Sequence, residues 1–223
     1  MTVKFGPHDT PIAYSMIEAA NKLDPKRDWY HPFHRYFYFW VAFNNIYTII
    51  AYTGSKSPKL VLRQGIVVTE PNGNVNIPKI NRVASERDEI DLAFEEFDND
   101  LKHTLIVHPS TDFFVNRSPF WQNHPVPTDV LGQRLNGVLN VNYTVNTDYP
   151  VWSPIDFQSY AQYLGNPGDD QARNLLAKQI VEMLYTVRCN LMHGGKRHDD
   201  RNDLSVVENA LPLLQIIVST FTQ

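Results

Sequence analysis

Arg188 and His193 lie five positions apart at the end of a long apolar-patterned stretch, with Cys189 and Asn190 between them and Lys196 just beyond. A guanidinium stays charged at any physiological pH and offers paired donors to a phosphate, whereas an imidazole exchanges its proton near neutrality. Together they suit cleavage of a phosphodiester without a metal: Arg188 would neutralise the charge growing on phosphate, and His193 would handle a proton. Both residue types also suit an ordinary helix C-terminus, where unpaired carbonyls favour positive charge, so the spacing by itself is weak. Five helical steps put the two side chains about 140° apart on an ideal helix. Convergence then requires the helix to open at Gly194 or a second chain to supply one of the pair.

Other chemistry-bearing residues compete with this pair. Cys189 beside Arg188 could act as a nucleophile, but a helix C-terminus opposes a thiolate, and a small, partly buried residue is the better reading. His31 and His34 stand one helical turn apart, and His193 and His198 are near in sequence, yet no cysteine or carboxylate completes a recognisable ligand set. No metal and no cofactor is therefore expected. Lys196, Arg197 and Arg201 form a basic cluster able to hold an RNA backbone, largely cancelled by Asp199, Asp200 and Asp203. The chain has neither a phosphate-cradling glycine loop nor a nucleophile elbow, which argues against ATPase and hydrolase chemistries.

These residues must be positioned by helices. Leu176, Ile180, Met183, Leu184, Val187 and Leu191 recur at three- and four-residue steps, predicting an amphipathic helix with Arg173, Lys178 and Glu182 in water and Gly194-Gly195 as its stop. A second, strongly aromatic helix is expected from about Pro32, with Phe33, Tyr36, Phe37, Trp40, Phe43, Tyr47 and Ile50 on its buried face. Asn44 interrupts that face and needs a hydrogen-bond partner, structural or at a site. Thr10-Pro11 opens an earlier helix with a stripe of Ile12, Met16, Ala19, Ala20 and Leu23, ended by Asp24-Pro25. Residues 54–82 are rich in Gly and Pro and predict a short strand or hairpin over 60–68, with a turn at Asn72-Gly73.

Ser85-Glu86-Arg87-Asp88 begins a further helix carrying Ile90, Ala93, Phe94, Phe97 and Leu101. An irregular connection is expected over 102–128, a helix from Thr128 through Leu139, and a short helix around Phe157 to Leu164. Asn202-Asp203 and the box Ser205-x-x-Glu208 start the last helix, whose Leu204, Val207, Leu211, Leu214, Val218 and Phe221 form a seam for another helix or another subunit. Pro212 should kink it.

The run from Tyr185 through Arg188-Cys189-Asn190-Leu191-Met192-His193-Gly194-Gly195 to Lys196 resembles the signature of the HEPN superfamily, particularly its Apea-like branch. The segment Phe39-Trp40-Val41-Ala42-Phe43-Asn44-Asn45-Ile46-Tyr47 resembles a Phe-Asn helix of the same branch. The likeness is specific over 30–50 and 172–222. Active members often carry Asn, Asp or His after the arginine, where this chain has Cys189. The resemblance implies a helical bundle that dimerises and brings two Arg-x4-6-His motifs together. It further implies a metal-independent endoribonuclease of a toxin-antitoxin or phage-defence type, with Arg188 and His193 catalytic, and an antitoxin or regulatory protein as a partner besides RNA. Asn190, Lys196 and Asn44 are the candidates for positioning substrate. The alternative within the superfamily is a non-catalytic module that binds a partner protein or nucleotide.

The totals agree with such a protein. The 223 residues accommodate one domain spanning 1–223, read as an all-α HEPN-like antiparallel bundle with an irregular insertion over about 54–170. A net charge of -4 predicts no general affinity for polyanions, so any RNA contact must be local. A single cysteine excludes an internal disulfide. The sequence shows no apolar run of the roughly 20 residues that span a bilayer. The first residues also lack the apolar core of a signal peptide. The expectation is a soluble, cytoplasmic protein without membrane contact.

Overall fold

The computed structural model describes residues 2–26, 31–52, 60–64, 68–69, 75–76, 79–116, 144–146, 151–153, 155–192 and 201–222. Within them the fold is all-α, with short antiparallel strand pairs. Eight helices are present among the described residues: α1 (Pro11–Lys22), α2 (His31–Tyr52), α3 (Glu86–Glu95), α4 (Asn99–Val107), α5 (Pro109–Asn116), α6 (Phe157–Gly165), α7 (Asp170–Met192) and α8 (Arg201–Phe221).

Helix α2 is the hub, with α1, α3 and α8 packed against it. Its composition explains this. Tyr36, Phe39, Trp40, Phe43 and Tyr47 are all buried; Trp40 meets Phe43 and Phe43 meets Tyr47 edge to face, with ring centroids 5.6 and 5.2 Å apart, and Tyr36 stacks on Trp40. Each such side chain removed from water contributes on the order of 1.5–3 kcal/mol. The buried arc is wider than a single stripe and is shifted from the expected one. Phe39 is inside, whereas Phe37 is 44% exposed. In α1 the small residues Ala13 and Ala20 face α2 and Ile12 is half in water, because a close helix–helix approach selects small side chains.

Helix α7 contacts α4, α6 and α8, and Leu176, Ile180, Met183, Leu184 and Val187 are buried as its period predicts. Arg173 departs from expectation. It is buried, donating to the carbonyl of Pro167 at 3.3 Å and pairing with Asp170, so its charge is retained by local partners rather than by water.

Ser85 caps α3 through a complete capping box with Asp88, as the sequence suggests, but that helix stops at Glu95. The carboxylate of Asp98 then caps a new helix by accepting from the backbone N–H of Leu101 at 3.0 Å. Phe97 and Leu101, expected on one helix with Ile90, are both buried, Phe97 within this break and Leu101 in the helix after it. The stretch from 102 to 116, expected to be irregular, is helical: α4 and α5 follow one another with His108 between them. Phe114, Val115 and Leu105 carry both helices into the common core.

The Gly- and Pro-rich region forms nested antiparallel pairs, β1 (Leu60–Gln64) with β4 (Lys79–Val83) and β2 (Val68–Thr69) with β3 (Val75–Asn76). The Asn72-Gly73 turn lies outside the described residues, as does the helix expected from Thr128 to Leu139. A third pair, β5 (Thr144–Asn146) with β6 (Val151–Ser153), lies between the helix expected through Leu139 and the one around Phe157.

Helix α8 begins at Arg201, so Ser205 is inside it rather than at its cap, and the carbonyl of Ser205 accepts from the Asn209 amide at 2.8 Å. The helix runs continuously across Pro212. Contrary to the sequence reading, the 19 residues Asp203–Phe221, with mean hydropathy 1.5, are long and apolar enough to cross a membrane by length and composition alone. Their apolarity has an internal use. Val207, Leu214, Val218 and Phe221 are buried, and α8 packs on α2, α4, α5 and α7. The seam offered to a helix or a subunit is thus occupied by this chain's own core.

Candidate functional site

Arg188 sits near the end of α7, where the apolar stripe of that helix meets the aromatic face of α2. Its side chain is partly buried, and three helices supply its neighbours. Nη2 lies 3.1 Å from Glu86 Oε1 and Nη1 lies 3.3 Å from Glu86 Oε2, a two-point contact that uses both carboxylate oxygens. Nη1 also approaches the Cys189 sulfur at 3.8 Å, and the charged group lies 5.9 Å from the centre of the Trp40 ring.

The carboxylate is held in turn. Glu86 is the first residue of α3, directly after the Ser85 cap, where the N-terminal end of a helix favours negative charge. Tyr47 in α2 donates its hydroxyl to Glu86 Oε1 at 2.7 Å, and the Asn44 amide donates to the Tyr47 oxygen. Asn44, one turn before Tyr47, is therefore linked to Arg188 through Tyr47 and Glu86. On the far side, the buried hydroxyl of Tyr36 donates to the carbonyl of Leu184 in α7 at 2.7 Å, tying α2 to the helix that carries Arg188.

The electrostatics follow from these contacts. Burial works against the charge of Arg188, but its contact with Cys189 and the negative charge of Glu86 outweigh that penalty and hold its pKa above the ordinary arginine value. Burial first, and then the hydrogen bond to Glu86, push the Tyr47 phenol far up, so it remains a proton donor throughout the accessible range. Burial also raises the phenol of Tyr185, with help from its hydrogen bond to Cys189, to about 12. The Nε–H of Arg188 and the indole N–H of Trp40 are buried and have no acceptor among the described residues. The cluster thus holds a fixed cation, paired with Glu86 and open to solvent only at the exposed part of its side chain, where charge on an approaching anion would be stabilised.

Of the residues singled out by sequence, the structure brings Arg188 and Asn44 into one network. Asn190 lies in α7, with its side chain outside the description, and His193 and Lys196 lie outside the described residues. So do Arg197, His198, Asp199 and Asp200. Among the described residues no three of His, Cys, Asp and Glu are grouped to hold a metal ion. Glu86 and Tyr47 were not recognised from sequence as site residues. Tyr47 falls on the same helical face as Asn44, three residues on, which was a usable signal. For Glu86 there was none sufficient, because Glu86, Asp88 and Glu89 all stand in the first turn of α3. Asp88 went to the cap, and Glu89 accepts from Thr48 at 3.1 Å.

Compared with known proteins, the chain matches no family model, no curated protein and no solved structure.

Proposed function

We infer that this protein is a metal-independent endoribonuclease of the HEPN type. The observation that carries this reading is the half-buried guanidinium of Arg188, fixed by Glu86 at the end of the helix whose next residues include His193. Arg188 neutralises the phosphate as charge accumulates on it, and His193 takes the proton of the RNA 2'-hydroxyl as that oxygen attacks the adjacent phosphorus. The bond to the 5'-oxygen breaks and that oxygen takes a proton from water, leaving a 2',3'-cyclic phosphate and a 5'-hydroxyl. Asn190 and Lys196 position the RNA, and Asn44 acts through Tyr47. The resemblance of residues 185–196 and 39–47 to the Apea-like branch supports the same chemistry. It also supports a cytoplasmic homodimer working in a toxin-antitoxin or phage-defence setting, with an antitoxin or regulatory protein as its further partner.

A second reading is favoured by one specific contact. Glu86 already supplies Arg188 with a countercharge, as expected for a non-catalytic module that binds a protein or nucleotide. Incubation of purified protein with RNA in EDTA separates the two. The nuclease yields fragments with 2',3'-cyclic phosphate ends, and His193→Ala abolishes them. Intact RNA under all ionic conditions would overturn the nuclease reading, and activity lost to EDTA and restored by a divalent cation would overturn the metal-free mechanism.

A further inference from the structure

The Arg188 side chain has four rotatable bonds, so a useful phosphate contact depends on what aims it. We propose that Glu86, braced by Tyr47, is a positioning residue that aims the Arg188 guanidinium at the scissile phosphate; this rests on the reading of Arg188 as the phosphate-neutralising group. Three observations converge on Glu86. Its two oxygens meet both terminal nitrogens of Arg188, at 3.1 and 3.3 Å, so the plane of the guanidinium is fixed as well as its location. Oε1 also accepts the Tyr47 hydroxyl at 2.7 Å, which prevents the carboxylate from turning away with the arginine. The backbone of Glu86 is fixed by the Ser85–Asp88 capping box, and Tyr47 by the aromatic core of α2.

The pair is neither a loose surface contact nor a sealed one, since the two side chains are 23% and 30% exposed. Glu86 therefore does two opposing things to a substrate. Its negative charge weakens the ground-state attraction of an anion, while its geometry places the guanidinium for the more highly charged transition state. Glu86→Gln removes the charge together with one of the two acceptors that orient Arg188, so turnover should fall while substrate binding does not weaken.

The test is steady-state RNA cleavage by wild type, Glu86→Gln, Tyr47→Phe and Glu89→Gln, with each variant's fold checked by circular dichroism and thermal melting. The expected result for Glu86→Gln is a kcat lower by about tenfold or more with KM unchanged or reduced. Tyr47→Phe, which deletes one oxygen and holds the test should Glu86→Gln fail to fold, should lower kcat by about three- to tenfold, also without raising KM. Glu89→Gln removes the same charge from the same helix turn and should leave both constants within about twofold. The proposal is overturned if folded Glu86→Gln and Tyr47→Phe turn over like wild type, or if their losses follow only the fraction of folded protein. Wild type that cleaves while these variants are unaffected overturns the positioning role alone, and wild type that leaves RNA intact removes the nuclease reading and this role with it.

Discussion

Arg188 is the position at which charge and geometry can be separated. Lysine there keeps the positive charge but is a point donor on a flexible stem, unable to span both oxygens of Glu86 and face a phosphate in a fixed plane. Arg188→Lys should therefore lose about a hundredfold or more in kcat, close to Arg188→Ala, when RNA cleavage is followed with saturating substrate. Thermal melts should separate the two substitutions, because the alanine leaves the half-buried Glu86 carboxylate without a countercharge whereas the lysine does not. Wild-type turnover in the lysine variant would show that charge alone suffices. The phenols beside this group do not titrate near neutrality: Tyr47 is pushed far up and Tyr185 to about 12, so a limb of the pH–rate profile there belongs to neither.

At the scale of the element, the break between α3 and α4 depends on one carboxylate. Asp98 accepts from the backbone of Leu101 and from the backbone of Thr2 at 3.0 Å each, and its own N–H donates to the Thr2 hydroxyl at 3.2 Å, so a helix cap also fastens the N-terminal segment. These contacts, the Leu101 hydrogen bond foremost, lower the pKa of Asp98 below its ordinary value. A carboxyl group whose folded-state pKa is depressed contributes stability at pH above its unfolded value, and that contribution is lost as pH falls through the folded one. Asp98→Ala should accordingly cost about 1 kcal/mol in urea unfolding at neutral pH. The gap from wild type should narrow below about pH 4. A gap that is the same at pH 7 and pH 3 would mean that the charge of the cap contributes nothing.

For the whole molecule, the question is what a second copy would contribute. The apolar seam of α8 is spent on α2, α4, α5 and α7, so a dimer must use another surface. A site that takes Arg188 from one subunit and His193 from the other has a distinctive signature. Arg188→Ala and His193→Ala are each inactive alone, but a mixed dimer of the two regains one intact Arg188 and one intact His193 at a single interface. Co-expression with different tags, tandem purification and an RNA cleavage assay should recover part of the wild-type rate. A strict monomer that cleaves through both residues would rule this arrangement out.

What the sequence determined by itself is what short-range geometry can carry. A 3.6-residue period placed the inward face of α7, Thr10-Pro11 and Ser85 marked helix starts, and an aromatic run in one helix located the centre of the core in α2. Arg188 and Asn44 were legible as candidates for the same reason, being polar groups at or beside apolar stripes. Which groups meet across the chain is set by how the helices pack. Phe39 rather than Phe37 faces the core because α1, α3 and α8 surround α2 over a wide arc. The partner of Arg188 lies 102 residues away, one of several carboxylates in the first turn of α3, and the selection of Glu86 among them rests on the packing of α2, α3 and α7. Periodicity fixes the direction a side chain takes from its own helix axis; the distance to a group on another helix is set only when the helices pack.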